Sequence, residues 1–401
     1  MTSLSLLLWI VLGLTLQVTL WLSIAFWRHW AEYRVLKNGD EHQRGPDAAS
    51  EPALVAGWVG FRPFRVDRKV IEDAVGTICS FYLVPTDGQP LASFLPGQFL
   101  TFRLDLPTEQ IIRCYSLSDA PSPDYYRVSI KRVPGGRSSN HFHDHVGIGD
   151  ILQVRAPGGH FHIDRSDAPV VLIGGGIGIT PMLSMLNWCL AEQPGREVWL
   201  FYGVRNSREP VMQAQLDALA AAHPNFHLRL CFSDPLAEDR SGCDDQHRGR
   251  VDVDLLRRQL PLKPYHFYIC GPTPMMESLV AALEDWGVPE ARIHFEAFGP
   301  ASIKRKPATA ENPAPPSDIV VTFAKSGKQL PWQPASGNLL DFAEANGIRV
   351  DSGCRAGGCG SCQTTIQSGE VAYRNPPDYD PEPGTCLLCT CTPKTSVTLE
   401  A

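Results

Sequence analysis

Residues 3–27 contain no Asp, Glu, Lys or Arg, and the 401 residues hold no long uninterrupted Lys/Arg block. The second absence, with a net charge of −7, argues against a nucleic-acid partner. A Ser–His–Asp arrangement, a paired-carboxylate hydrolase pattern and a P-loop are also missing, which removes common hydrolytic and nucleotide-hydrolysing chemistries. No internal repeat is present, so the chain is not a solenoid. The first segment lacks the basic leader and small-residue cleavage site of a secretory signal. Its uncharged run of about 24 residues, at ~1.5 Å each, reaches ~36 Å, enough to cross a ~30 Å hydrocarbon core with tilt. Trp21, Trp27 and Trp30 suit the interface, and Arg28, His29, Arg34 and Lys37 follow directly. The positive-inside bias then leaves the remainder in the cytoplasm. Residues 1–30 are thus expected to be a single-pass membrane anchor and 31–60 a polar tether; a buried soluble helix or an uncleaved signal is the alternative.

Three of the twelve cysteines, Cys354, Cys359 and Cys362, stand in DSGCRAGGCGSCQ. The C-x4-C-x2-C spacing is that of a [2Fe–2S] site, whose ligands are thiolates. The surrounding glycines let the backbone wrap a cluster that bulkier residues would crowd. A zinc knuckle, which favours paired C-x2-C units, and a disulfide cluster are the alternatives. Cys386, Cys389 and Cys391 are all candidates for the fourth ligand. The remaining cysteines are scattered without a framework, as in a reducing compartment.

A chain of this length divides into roughly two to four domains. Residues 61–165 show short apolar alternations broken by Gly, Pro and Asp, predicting a small antiparallel β-barrel. VDRKVIEDAVGTICSFYLVP, GQFLTFRLDL, YYRVSIKRV and DILQVRAP read as its strands. Over 166–299 the apolar runs VVLI, EVWLFYG, FHLRLCF and HFYIC alternate with helical patterns, and IHFEAF follows. That alternation predicts a parallel α/β sheet covered on both faces. Residues 300–317, rich in Pro and Ala, read as a linker. Residues 318–401 form the cysteine domain, with IVVTFA and SVTLE as strands.

Two further constellations carry chemistry. Arg113, Tyr115 and Ser116, on a barrel strand, could offer a flavin a cation and aromatic and hydroxyl contacts. Gly136, Ser138 and Ser139 follow at a turn into a helix, where backbone N–H groups can hold a pyrophosphate. GGGIGITPM follows the first α/β strand: Gly174, Gly175, Gly176 and Gly178 permit close backbone approach, and Thr180 and Pro181 open a helix. It is not the strict G-x-G-x-x-G fingerprint. Cys270, Gly271 and Pro272 stand at the carboxyl end of a strand, where ligands gather in open sheets. Asp234 ends the third strand, where it could accept from a ribose 2′-OH and repel a 2′-phosphate, whereas Arg205 and Arg208 pull the other way; NADH is favoured over NADPH. His141, His143 and His145 would share one face of a strand as a metal site.

LPGQF, RCYSLSDAP, GGRSSN, GGGIGITPM, FYGVRN and CGPTPMM occur in the order seen in the ferredoxin–NADP reductase superfamily, which residues 61–299 resemble, notably the reductase part of flavohaemoglobins. The last 84 residues resemble a plant-type [2Fe–2S] ferredoxin module, of the β-grasp α+β class. The layout is similar to hybrid-cluster-protein reductases and oxygenase reductase components; the membrane segment is outside the resemblance. It implies FAD, rather than FMN, on Arg113, Tyr115, Ser116, Gly136, Ser138 and Ser139, and the nicotinamide nucleotide on the 174–181 loop. It implies Cys270 beside the nicotinamide, with Glu296 and Ser116 near the flavin contact. The frame G-x-x-L-x-C, met by Gly384, Leu387 and Cys389, makes Cys389 the fourth ligand. The same resemblance places His141, His143 and His145 on a helix, which spreads them. It implies an NAD(P)H-dependent reductase passing electrons through FAD and the cluster to an acceptor protein; the expected anchor alone points to a membrane acceptor, such as an oxygenase or desaturase. A redox sensor with the same cofactors, or a zinc-binding interaction protein, is the rival expectation.

Overall fold

The computed structural model describes residues 57–58, 60–107, 109–237, 239, 246–298, 319–333, 336–353, 355, 357–373, 377, 379 and 381–401, with the isolated position 17. The expected anchor, nearly all of the tether, the linker and Cys354 lie outside the described residues. Among the described residues no helix is long and apolar enough to cross a membrane. Val55–Ala401 forms one compact unit.

The first sheet contains β1 (Arg62–Ile71), β2 (Ile78–Pro85), β3 (Phe99–Asp105), β4 (Gln110–Ser116), β5 (Tyr126–Lys131) and β6 (Ile151–Gly158), in the order β4-β3-β6-β1-β2-β5. All pairings are antiparallel. A bridge between Leu117 and Val128 brings the two edges together and closes the barrel. VDRKVIEDAVGTICSFYLVP reads as strand throughout, but it is the end of β1, a turn and β2. Asp73 makes the break: its carboxylate accepts from the Thr77 and Ile78 N–H groups at 3.1 and 2.8 Å and from the Thr77 hydroxyl at 2.6 Å. Helix α1 (Arg137–His145) plugs the barrel with Phe142, whose ring meets Phe81, Phe102 and Tyr115 edge-on at 5.2–5.4 Å. His143 accordingly packs against the barrel, its Nε2 2.9 Å from the Ile130 carbonyl oxygen.

The second sheet is parallel throughout, in the order β10-β9-β8-β7-β11-β12. It comprises β7 (Val170–Gly175), β8 (Val198–Val204), β9 (Phe226–Phe232), β10 (Gln246–Arg248), β11 (His266–Cys270) and β12 (Ile293–Glu296). Alternate residues feed separate cores: Val170, Leu172, Leu200 and Tyr268 join one, Val171, Ile173, Phe201 and Ile269 the other. Strands buried on both faces read as continuous apolar runs for that reason. Helix α2 (Ile179–Glu192) covers the first face and also touches the barrel, where Ser184 Oγ donates to the Asp119 carbonyl at 2.7 Å. Helices α3 (Gln213–Ala222), α4 (Val253–Gln259) and α5 (Thr273–Asp285) complete the layers. Strand β10 has no counterpart in the sequence reading, because QHR carries no apolar alternation.

The last domain has a five-stranded sheet ordered β14-β13-β19-β15-β17 and a small β16–β18 pair. Its strands are β13 (Val320–Phe323), β14 (Lys328–Pro331), β15 (Gln363–Ser368), β16 (Val371–Tyr373), β17 (Thr385–Leu387), β18 (Cys391–Pro393) and β19 (Val397–Leu399). The parallel β13–β19 pair is flanked by antiparallel neighbours. Helix α6 (Leu339–Ala345) begins at Asn338, whose side chain accepts the Asp341 N–H at 2.8 Å.

Candidate active site

Strand β4 carries Arg113, Tyr115 and Ser116 to the meeting point of all three domains. The Tyr115 hydroxyl lies 2.7 Å from Ser138 Oγ in the first turn of α1, joining the two motifs that the sequence places twenty residues apart. Burial pushes the Tyr115 phenol up, so it stays protonated. Ser116 Oγ donates to Glu296 Oε2 at 3.4 Å, across the boundary between barrel and α/β sheet. Ser139 accepts the Val133 N–H at 3.1 Å and so is held in its own turn, beside Gly136. Arg113 donates to the Ile112 carbonyl at 2.7 Å and to the Gly353 carbonyl of the cysteine loop at 3.2 Å, a reach that the sequence did not suggest.

In the parallel sheet the strand order reverses between β7 and β11, the usual ligand crevice of an open α/β fold. The glycines there do two jobs. A Cβ on Gly178 would lie 2.2 Å from the Cys270 carbonyl oxygen, and one on Gly175 would lie 2.7 Å from Pro272 Cδ. Gly174 similarly abuts Ile179, and Gly271 abuts Gly175. The side-chain space of Gly174, Gly175 and Gly178 is filled by protein, so at these positions the absence of a Cβ serves close packing. Of the four, Gly176, with φ +54° and nothing within 4 Å, is the one that faces open space. Thr180 donates to the Ile177 carbonyl at 3.0 Å, and Pro181 is buried in the first turn of α2. Cys270 is fully buried; desolvation, with Glu296 second, pushes its thiol well up and keeps it neutral. Asp234 is exposed, its N–H donating to the Arg205 carbonyl at 2.8 Å. Arg205 itself is ion-paired with Glu209.

Cys359, Cys362 and Cys389 are all buried. A hydrogen bond from the Cys389 thiol to Cys362, then burial, pushes that thiol up, while the Gly357 N–H is directed at its sulfur. Cys386 and Cys391, also buried, are free thiols that share a hydrogen bond. A Cβ on Gly353 would fall 2.8 Å from Cys359 Sγ. Ser361 Oγ is buried and makes no hydrogen bond. Buried thiols, a backbone N–H aimed at sulfur and an orphan hydroxyl fit a sulfide-rich two-iron group.

The residues that join this loop to the barrel escaped the sequence reading. Arg155 Nη1 donates to the Cys359 carbonyl at 2.5 Å. Its guanidinium lies 4.8 Å from the Phe61 ring centroid and 5.6 Å from that of Tyr379. Phe99 fills the space beside Gly358, where a Cβ would meet its ring at 2.7 Å, and His160 Nε2 is 3.2 Å from the Pro377 carbonyl oxygen. No spacing rule marks such residues; each sits in an ordinary strand or loop.

The model of the Oxidoreductase FAD-binding domain matches residues 77–163, that of the Oxidoreductase NAD-binding domain 172–281, and that of the 2Fe-2S iron-sulfur cluster binding domain 321–394. A flavohemoprotein of Halalkalibacterium halodurans is 40% identical over 254 residues, covering 61% of each chain. The chain thus spans about three fifths of the length of the curated relatives it matches. The FAD/NAD-binding domain of a nitric oxide dioxygenase from Vibrio cholerae superposes with a TM-score of 0.54 at 32% identity, covering 60% of this chain and 99% of that one. Phthalate dioxygenase reductase, described as a modular structure for electron transfer from pyridine nucleotides to [2Fe–2S], gives 0.53 at 28%, covering 85% and 98%. With FAD-binding, NAD-binding and [2Fe–2S] domains in this order and the Ser116–Glu296 contact where the first two meet, the chain belongs to the NAD(P)H-dependent flavin oxidoreductases, carrying a C-terminal iron–sulfur domain.

Proposed function

We propose that the protein takes electrons from NADH and delivers them singly, by way of FAD and the [2Fe–2S] cluster, to a membrane-associated acceptor such as an oxygenase or desaturase. The observation that carries this reading is the convergence of β4 with both neighbours: Ser116 touches Glu296 of the α/β domain, and Arg113 touches Gly353 of the cysteine loop. The bound cofactors together convert a two-electron hydride donor into a one-electron supply.

The chain's own residues bind and orient. Tyr115 and Ser138 frame the flavin site, and the N-terminal turn of α1, opening at Gly136, offers N–H groups to its phosphates. Gly176 leaves open the approach to the α2 N-terminus for the nicotinamide nucleotide, as Thr180 tightens that turn. Cys270, neutral and buried at the end of β11, would supply shape rather than charge to a bound nicotinamide. Ser116 and Glu296 hold a hydrogen-bonded pair where a proton can be given or taken. Asp234 favours NADH, since Arg205 is occupied by Glu209 and Asp234 would repel a 2′-phosphate. Cys354, Cys359, Cys362 and Cys389 ligate the cluster. Residues 1–30 anchor the protein to the membrane with its catalytic domains in the cytoplasm, which keeps the acceptor within reach.

The test is an anaerobic titration of the purified holoprotein with NADH and then NADPH, followed by its visible spectrum. Flavin and cluster bands bleaching in sequence, at lower NADH than NADPH, are expected. Bands that neither nucleotide touches would overturn the reading. Separately, pelleting with vesicles should require residues 1–30.

A further inference from the structure

We infer that Arg155 is a positioning residue that holds the cysteine loop against the flavin domain. The consequence for electron delivery rests on the function proposed above; the docking itself rests on geometry alone. Arg155 lies on β6, and its Nη1 donates to the main-chain carbonyl of Cys359, 204 residues away. Because the acceptor is a backbone oxygen of the loop, the bond fixes the loop's position and not only a side chain. The guanidinium is flanked by Phe61 on the barrel side and Tyr379 on the iron–sulfur side, a planar cation set against one ring from each domain. The Tyr379 ring in turn fills the space a Cβ on Gly360 would take, at 2.6 Å, so it packs on the same loop. Arg103 lies against the other partner, 4.7 Å from the Phe61 centroid, which steadies the ring that Arg155 uses. The half-buried setting makes a charge-assisted bond of this kind stronger than a neutral one.

Two consequences follow. Without Arg155 the loop separates from the barrel more often, while the contacts within the first two domains, Tyr115 with Ser138 and Ser116 with Glu296, are kept. Steps confined to the first two domains therefore continue, and the step that crosses to the third slows.

The test compares the full-length holoenzyme with Arg155→Gln. Hydrogen exchange, read on peptides covering Gly357–Gln363, is expected to accelerate about tenfold, equivalent to a loss of about 1.4 kcal/mol of docking. In stopped-flow mixing with NADH, flavin bleaching should keep its rate and cluster bleaching should slow. Tyr379→Leu serves as a second variant should Arg155→Gln fold poorly, and the pair should be non-additive because both remove one contact. Unchanged exchange in these peptides, strict additivity, or equal slowing of both spectral phases would overturn the inference. If NADH bleaches neither band in the unaltered protein, the proposed electron path fails, and the exchange comparison still decides the docking.

Discussion

Replacing Gly178 by alanine is the sharpest test of how the nucleotide loop is built. A Cβ there would stand 2.2 Å from the Cys270 carbonyl oxygen, 2.5 Å from its carbon and 2.8 Å from Gly271 Cα. All three neighbours are main chain, so no flexible side chain can swing aside, and the ends of β7 and β11 must part by about 1 Å to reach ordinary contact. Overpacking of this kind costs roughly 1–3 kcal/mol, and rigid backbone on the far side puts the cost near the top of that range. Gly178 has φ −62°, so alanine adds no backbone strain. Alanine also restricts the unfolded chain and returns about 0.4–1 kcal/mol. The net loss is about 2 kcal/mol, a fall of roughly 4–8 °C in Tm for a body the size of the α/β and barrel domains together. Scanning calorimetry of the holoprotein measures it. Gly195→Ala is the control: that glycine is exposed, has nothing within 4 Å and lies outside the left-handed region. It should leave Tm unchanged or slightly raised. A Gly178→Ala protein as stable as the control would refute the packing argument and return this glycine to the ligand side of the loop.

Three further outcomes are expected. Cys389→Ser should abolish the cluster's visible bands, whereas Cys386→Ala, outside the ligand set, should retain them; loss of the bands in the second variant alone would reassign the fourth ligand. His294 is lowered to about 4, by burial first and then by His266, with Asp164 opposing and His162 adding to the shift. The unfolded chain therefore binds the proton more readily than the folded one below pH 6.5, and stability falls between about pH 6.5 and 4, by about 2 kcal/mol once partial solvent screening is allowed for. His294→Phe, which keeps the ring stacked on Tyr268 at 4.5 Å, should flatten the urea midpoint across that window. Asp234→Ser should narrow the preference for NADH over NADPH by roughly tenfold in kcat/KM, the effect of removing about 1.4 kcal/mol of charge repulsion; an unchanged ratio would place discrimination elsewhere.

The sequence by itself determined the elements and the kinds of ligand. Strand–helix alternation from Pro169 onward could only bury its apolar runs in a parallel sheet, and the C-x4-C-x2-C loop named its metal chemistry before any fold was known. Both signals are local, written in spacings of a few residues. What only the tertiary structure decided is which of those segments face one another. Ser116 and Glu296 are 180 residues apart, Arg113 and Gly353 are 240, and no periodicity links them. Arg155 looks in sequence like any polar residue on a barrel strand, and becomes a clamp because the third domain brings the Cys359 carbonyl to it. The same holds for the glycines of GGGIGITPM: absence of a side chain is legible in the sequence, but whether the space stands open, as at Gly176, or is filled by a neighbouring strand end, as at Gly178, depends on the direction of a bond to a missing atom. Close packing across domain boundaries fixes that direction, and only the folded chain contains those boundaries.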